Sequence, residues 1–148
     1  MRQGLCGFSR LTFAGLVLIV VGCAGVETAQ TGKSLYDRLG GKTAITAVVD
    51  QFVANVAADT RINGRFAATD IPKLKRYLVD QLCMATGGPC TYTGRDMKTT
   101  HAGMGIANAD FGALVEDLVA ALDRFKVPAR EKSELLALLG PMKTDIVE

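Results

Sequence analysis

The chain is poor in the residues from which metal clusters are usually built. Its 148 residues include one histidine and four cysteines, which excludes zinc-finger and cluster architectures that need repeated ligand pairs. Nucleotide-binding glycine motifs are missing too. Gly103-Met-Gly105 opens like a dinucleotide fingerprint, but Asn108 stands where its third glycine belongs and no strand precedes it. No run alternates apolar and polar residues long enough to make a strand. An excess of one charge is also lacking. Lysine and arginine total 17 against 15 acidic residues, and Arg2 and Arg10 fall in a segment read below as removable, which leaves the two signs balanced. With no basic stripe to match a phosphate backbone, nucleic acid is not expected as a partner. Apolar residues, by contrast, make up 49% of the chain. That supports one packed domain and excludes a disordered or collagenous chain.

The first 22 residues read as an address. Arg2 and Arg10 flank a stretch without acids, and residues 11–21 (LTFAGLVLIVV) are almost wholly apolar. A spanning helix takes about 20 apolar residues, so this run has the length of a signal-peptide core. Val20-Val21-Gly22-Cys23 then resembles a bacterial lipobox, in which the cysteine becomes lipidated and N-terminal. An ordinary signal cut elsewhere, or an uncut anchor, is the competing reading. Acyl chains would hold the protein to a membrane without a spanning helix. Ala24 stands where an aspartate would retain a lipoprotein in the inner membrane, so the outer membrane is favoured where one exists. Residues 23–33 form a small, polar tether whose last ten residues span about 17 Å as a flexible coil. The expected location is the cell envelope, facing the periplasm if there is an outer membrane.

Residues 34–148 read as helical throughout. Ser34-Leu-Tyr-Asp37 has the form of a capping box on one short turn, stopped at Gly40-Gly41. From Thr43, Ile45, Val48, Val49, Phe52, Val53 and Val56 fall on one helical face. Asn63-Gly64 marks a turn. Asp70-Ile-Pro72 starts a second long helix, with Leu74, Leu78, Leu82 and Ala85 inward and Tyr77 and Gln81 beside them, ended by Gly87-Gly88-Pro89. A short helix follows over about residues 96–102. Asn108 caps the next, which would bury Phe111, Leu114, Val115, Leu118, Leu122 and Phe125. Past Val127-Pro128, a last helix would bury Leu135, Leu138, Leu139, Met142 and Ile146.

This order of elements, with Gly-Gly after a tiny first helix and the string GGPCTYTGRDMKTTHAGMGI, resembles the group I truncated haemoglobins. The resemblance spans residues 34–147. It implies an all-α, two-over-two helical sandwich enclosing haem b (iron protoporphyrin IX), with O2, NO or CO as ligand. His101 then becomes the proximal iron ligand, since a globin iron needs one neutral imidazole and the chain has one histidine. Met97, Thr100 and Met104 lie near it at helical spacing, and Gly103 and Gly105 allow a sharp turn afterwards. By the same resemblance Phe66 packs flat on the haem, and Ile106, Phe111 and Leu114 touch its proximal side or rim. Ordinary core packing is the competing role for these four. Lys73, Lys75 and Tyr92 are propionate partners by charge, hydroxyl and placement, or else ordinary surface residues.

The distal side departs from the family pattern. Many members stabilise oxygen with a tyrosine after the second-helix phenylalanine and a glutamine in the long distal helix. Here Val53 follows Phe52, Leu78 replaces the glutamine, and Leu74 one turn earlier is apolar as well. A hydrogen bond to a charged group is worth about 1.5–3 kcal/mol, so losing both donors predicts weaker oxygen retention and easier autoxidation. Tyr77, next to Leu78, has three open roles: donor to a bound ligand, tyrosinate ligand to ferric iron, or haem-edge residue with its hydroxyl in water. Gln81 is a weaker polar candidate.

With Cys6 removed and Cys23 lipidated, Cys83 and Cys90 remain. On a continuous helix they would lie about 10 Å apart, too far to bridge. Gly87-Gly88-Pro89 breaks that helix, so a structural disulfide is expected in an oxidising compartment, against two free thiols or a redox pair. The functional expectation is a membrane-tethered haem globin. Its roles in view are sensing, gas handling, NO dioxygenation with an unknown reductase, and electron transfer, and no enzyme class is assigned. The alternatives are a haem-free helical lipoprotein that binds a partner, and a thiol redox protein, which the absence of Cys-x-x-Cys disfavours.

Overall fold

The computed structural model describes residues 32–148, so the signal segment, Cys6, the Cys23 lipidation position and most of the tether lie outside the described residues. The described residues are all-helical, without a strand. α1 (Leu35–Arg38) is a single turn closed by the capping box. The Ser34 hydroxyl accepts from the Asp37 N–H at 3.1 Å, and the Asp37 carboxylate accepts back from the Ser34 N–H at 3.3 Å. α2 (Gly41–Ala58) begins two residues before Thr43, on the second glycine. Its predicted apolar face is buried without exception, from Ile45 to Val56. α2 is the central element, packed against α3 (Ile71–Ala85) on one side and α5 (Asn108–Arg124) on the other. Val49, Cys83, Ala121 and Leu122 lie at the middle of this contact, each essentially out of water. Burying an aliphatic side chain of that size stabilises by about 1.5–3 kcal/mol, which makes α2 the anchor of the core.

Between α2 and α3 the chain makes a 3-10 turn, Asn63–Phe66, where the Asn-Gly pair predicted a turn. α3 is capped by Asp70, whose carboxylate accepts from the Lys73 N–H, with Pro72 tolerated in the first turn. α4 (Met97–His101), α6 (Ala129–Leu139) and α7 (Lys143–Ile146) complete the set.

Four packing expectations need correction. In α3 the fully buried residues are Val79, Leu82 and Cys83, one step round from the predicted stripe, while Leu74, Leu78 and Ala85 are half-buried. The first group packs on α2, and the second lies on a different face. In α5, Ala107 rather than Asn108 holds the cap position. Phe111, Leu114 and Val115 are half-buried, and Phe125 is 46% exposed. Phe125 sits at the helix end, just before Lys126 adopts a left-handed conformation (φ 54°) that turns the chain away. The expected last helix is three pieces, because Pro141 lacks an N–H and cannot continue the ladder: α6, a 3-10 turn Gly140–Met142, and α7. Leu138 is accordingly exposed, and Leu139, Met142 and Ile146 are half-buried.

Candidate functional site

The face of α3 that does not pack on α2 looks toward α4 and the loop before it. The Tyr77 ring meets the Tyr92 ring edge-on, centroids 6.0 Å apart and planes at 68°. One turn on, the Gln81 amide lies 3.6 Å from the Met97 sulfur and 3.4 Å from that of Met142. Met97 in turn supplies the carbonyl that meets His101 Nδ1 at 2.7 Å. A carbonyl only accepts, so Nδ1 carries the proton of the neutral ring and the Nε2 lone pair is left for a metal. Among the described residues Nε2 has no hydrogen-bond partner. This is the arrangement in which an imidazole ligates iron: one nitrogen oriented by the backbone, the other free.

The sequence positions His101 with some care. Asp96 caps α4, its carboxylate accepting from the Thr99 N–H at 2.8 Å, and that backbone bond holds the carboxyl below its ordinary range. The Thr100 hydroxyl donates to the Asp96 carbonyl at 2.7 Å, leaving its methyl for packing. The helix then stops. Met97 and Thr100 share it with His101, but Met104 lies beyond its end and is 52% exposed, so the helical spacing read for Met104 does not hold. Gly103 (φ 75°) and Gly105 (φ 58°) make the reversal, in a region L side chains rarely adopt.

Several large apolar residues of the domain are only half covered. Phe66, Leu78 and Leu114 pack on the core yet stay half-buried, and Ile106, Phe111 and Leu74 are half-buried as well. Phe52 and Val53 are buried in α2. Tyr77 lies at the margin: Lys73 Nζ is 5.9 Å and the Arg76 guanidinium 5.1 Å from its ring centre. Its hydroxyl has no protein partner among the described residues. Tyr92 donates to the Arg95 carbonyl at 2.9 Å, and burial, then neighbouring Tyr77, push its phenol up. Lys75 pairs with Asp50 at 2.9 Å. Cys83 and Cys90 are joined as a disulfide, their Cα atoms 5.7 Å apart. Gly88 passes so close that a Cβ there would lie 2.5 Å from the Tyr36 ring and 2.7 Å from the Cys83 sulfur.

A single imidazole oriented by the Met97 carbonyl, with Nε2 free, has the donor set that haem iron requires, and the residues present fit that group. Known proteins agree. The bacterial-like globin family model matches residues 34–148. The chain belongs to that family. A group 1 truncated haemoglobin of Mycolicibacterium paratuberculosis is 39% identical over 113 residues, covering 76% of this chain and 83% of the relative. One from Tetrahymena pyriformis is 32% identical over 115 residues, covering 78% and 95%. The crystal structure of the Tetrahymena protein in its Fe(III) form superposes with a TM-score of 0.75 at 32% identity, covering 78% of this chain and 98% of the other. A 2/2 haemoglobin of Synechococcus with covalently attached haem gives 0.74 at 31% identity, with the same coverage. The truncated-globin expectation therefore stands, with its two-over-two sandwich and haem b as cofactor. In this truncated haemoglobin α2 is the helix on which both α3 and α5 pack.

Three further residues, Arg65, Asp110 and Glu148, bind the segment that follows His101. Arg65 Nη1 donates to the Met104 carbonyl at 2.9 Å, and Nη2 to the Gly105 carbonyl at 3.2 Å and the Asp110 carboxylate at 2.6 Å. Asp110 also accepts from the Ala107 N–H at 2.9 Å, which holds its carboxyl low. Glu148 accepts from the Gly103 and Gly105 N–H groups, both at 2.6 Å, with the same effect on its own carboxyl. Asp110 alone left a trace in the sequence, as an acid three residues past a helix cap.

Proposed function

We propose that this truncated haemoglobin is a haem globin of the bacterial cell envelope, tethered by lipid on Cys23, that binds O2, NO or CO in an apolar distal pocket. The observation that carries the haem reading is the Nδ1–Met97 bond, which leaves Nε2 of the chain's one histidine free. Bound haem supplies an iron that accepts one imidazole and one exogenous ligand. His101 would hold that iron, and Phe66, Leu78, Leu114 and Phe111 would exclude water from the porphyrin faces. Lys73 and Tyr92 stand at the margin, where a cation and a phenol suit the propionates. Val53 and Leu78 offer a bound ligand no hydrogen bond, which favours fast exchange over storage. Support for the envelope comes from the lipobox-like Val20-Val21-Gly22-Cys23 and the apolar run before it.

Titration of the full-length chain with haemin, followed by CO exposure of the ferrous form, tests the site. One equivalent should give a Soret band that His101→Ala loses. A colourless wild type, or an unchanged variant, would overturn the haem reading and leave a haem-free helical protein. Membrane fractionation of the wild type and Cys23→Ser tests the tether: the wild type should sediment with membranes, and an equally membrane-bound variant would refute lipidation at Cys23.

A further inference from the structure

The segment after His101 has little structure of its own. α4 is one turn long, too short to be stable in isolation. Residues 103–107 then run without helix to the start of α5. Within this stretch the one local bond that runs back to α4 joins the Met104 N–H to the His101 carbonyl, at 3.1 Å. Five of its other backbone groups find partners brought from distant elements. Arg65, from the 3-10 turn that carries Phe66, takes the carbonyls of Met104 and Gly105. Glu148, past α7, takes the N–H groups of Gly103 and Gly105 with its carboxylate, while its own N–H donates to the Ile106 carbonyl at 3.0 Å. Asp110 takes the Ala107 N–H and closes the ring by pairing with Arg65.

We propose that Arg65 and Glu148 are positioning residues that clamp the 103–107 segment and thereby hold His101 in place, so that together they set the rate at which haem is lost. The proposal rests on the haem reading above. It has a physical basis beyond proximity. The same turn that presents Phe66 to one side of the pocket grips the segment that follows the histidine, so the two sides are tied by one guanidinium. The clamp is superficial: the Arg65 side chain is 38% exposed, and an exposed ion pair contributes little to global stability. Its effect should therefore appear in the local mobility of the histidine segment rather than in whether the domain folds.

The test compares full-length wild type with Arg65→Ala, Arg65→Lys, Glu148→Ala and Glu148→Gln. Haem transfer from each holoprotein to excess apomyoglobin gives the loss rate, and amide exchange of Gly103 and Gly105 in the haem-free chains gives a readout independent of haem. Arg65→Ala and Glu148→Ala should each speed haem loss about tenfold, the scale of one charge-assisted hydrogen bond. Glu148→Ala should also unprotect both glycine amides. Glu148→Gln, which keeps an acceptor oxygen, should recover part of the protection. Arg65→Lys should recover little, because an ammonium lacks the planar fork that reaches two carbonyls and a carboxylate. Unchanged loss rates and unchanged exchange would overturn the clamp, as would faster loss matched by an equal fall in the thermal midpoint of the haem-free chain. If the wild type takes up no haemin, the haem reading fails. If it takes up haem and the variants lose it at the wild-type rate, the clamp fails and the haem reading stands.

Discussion

On the proposed reading, Tyr77 is the residue on which the distal chemistry turns, because Val53 and Leu78 have nothing to donate. Its ring is fixed from three directions: edge-on by Tyr92, and by the cationic ends of Lys73 and Arg76 near its centre. Each cation over an aromatic face contributes about 0.5–1 kcal/mol at an exposed site, so together they hold the phenol at the margin of the pocket. Swinging it onto iron as tyrosinate would break these contacts. The expected result is that Tyr77→Phe leaves the ferric absorption spectrum unchanged, and loss of a charge-transfer band in the variant would establish tyrosinate ligation instead. Other residues were legible in the sequence to different degrees. His101 stood out because a globin iron needs one imidazole and the chain has one. Arg65 and Glu148 did not, since a charged side chain that meets distant backbone groups carries no periodicity.

Elements were legible where burial and capping agree. The α2 face was read correctly because all six of its apolar residues are buried. The α3 stripe was misplaced because its apolar residues lie on two faces, one buried through Val79, Leu82 and Cys83, the other half-buried and carrying Leu74 and Leu78. Sequence hydrophobicity does not distinguish burial against protein from burial against a porphyrin. α1 poses a different problem, being too short to persist alone. It is held by the Tyr36 N–H on the Thr86 carbonyl at 2.8 Å and by Arg38. The Arg38 Nε lies 3.0 Å from Glu131 on α6, both side chains about nine-tenths buried, and Nη2 pairs with Glu134. Removing one member of such a pair leaves the other charge buried. Arg38→Met should therefore lower the unfolding free energy by about 3 kcal/mol. Adding Glu131→Leu should restore most of that, because two apolar side chains of similar volume avoid the desolvation cost. Urea titrations of the two variants decide it: a double variant no more stable than the single would show that the ion pair itself supplies the stability.

At the scale of the whole molecule, the disulfide joins parts that the backbone alone holds loosely. Cys83 ends the buried face of α3, Cys90 opens the loop carrying Tyr92, and α4 with His101 follows. Gly88 lets that loop close against Tyr36 and the Cys83 sulfur, where any side chain would collide. The bridge thus ties α3, which lines one side of the pocket, to the approach to the histidine on the other. Closing so short a loop stabilises by about 2.5 kcal/mol on the chain-entropy model, almost entirely through the unfolded ensemble. For a domain of this size that corresponds to roughly 10 °C in the thermal midpoint. Reductant, or the pair Cys83→Ala and Cys90→Ala, should produce that drop while the Soret spectrum of the holoprotein at 25 °C stays the same. Coincident melts with and without reductant would show that the bridge adds no stability. A reduced protein that keeps its midpoint but changes its Soret spectrum would relocate the effect from the unfolded chain to the seating of His101.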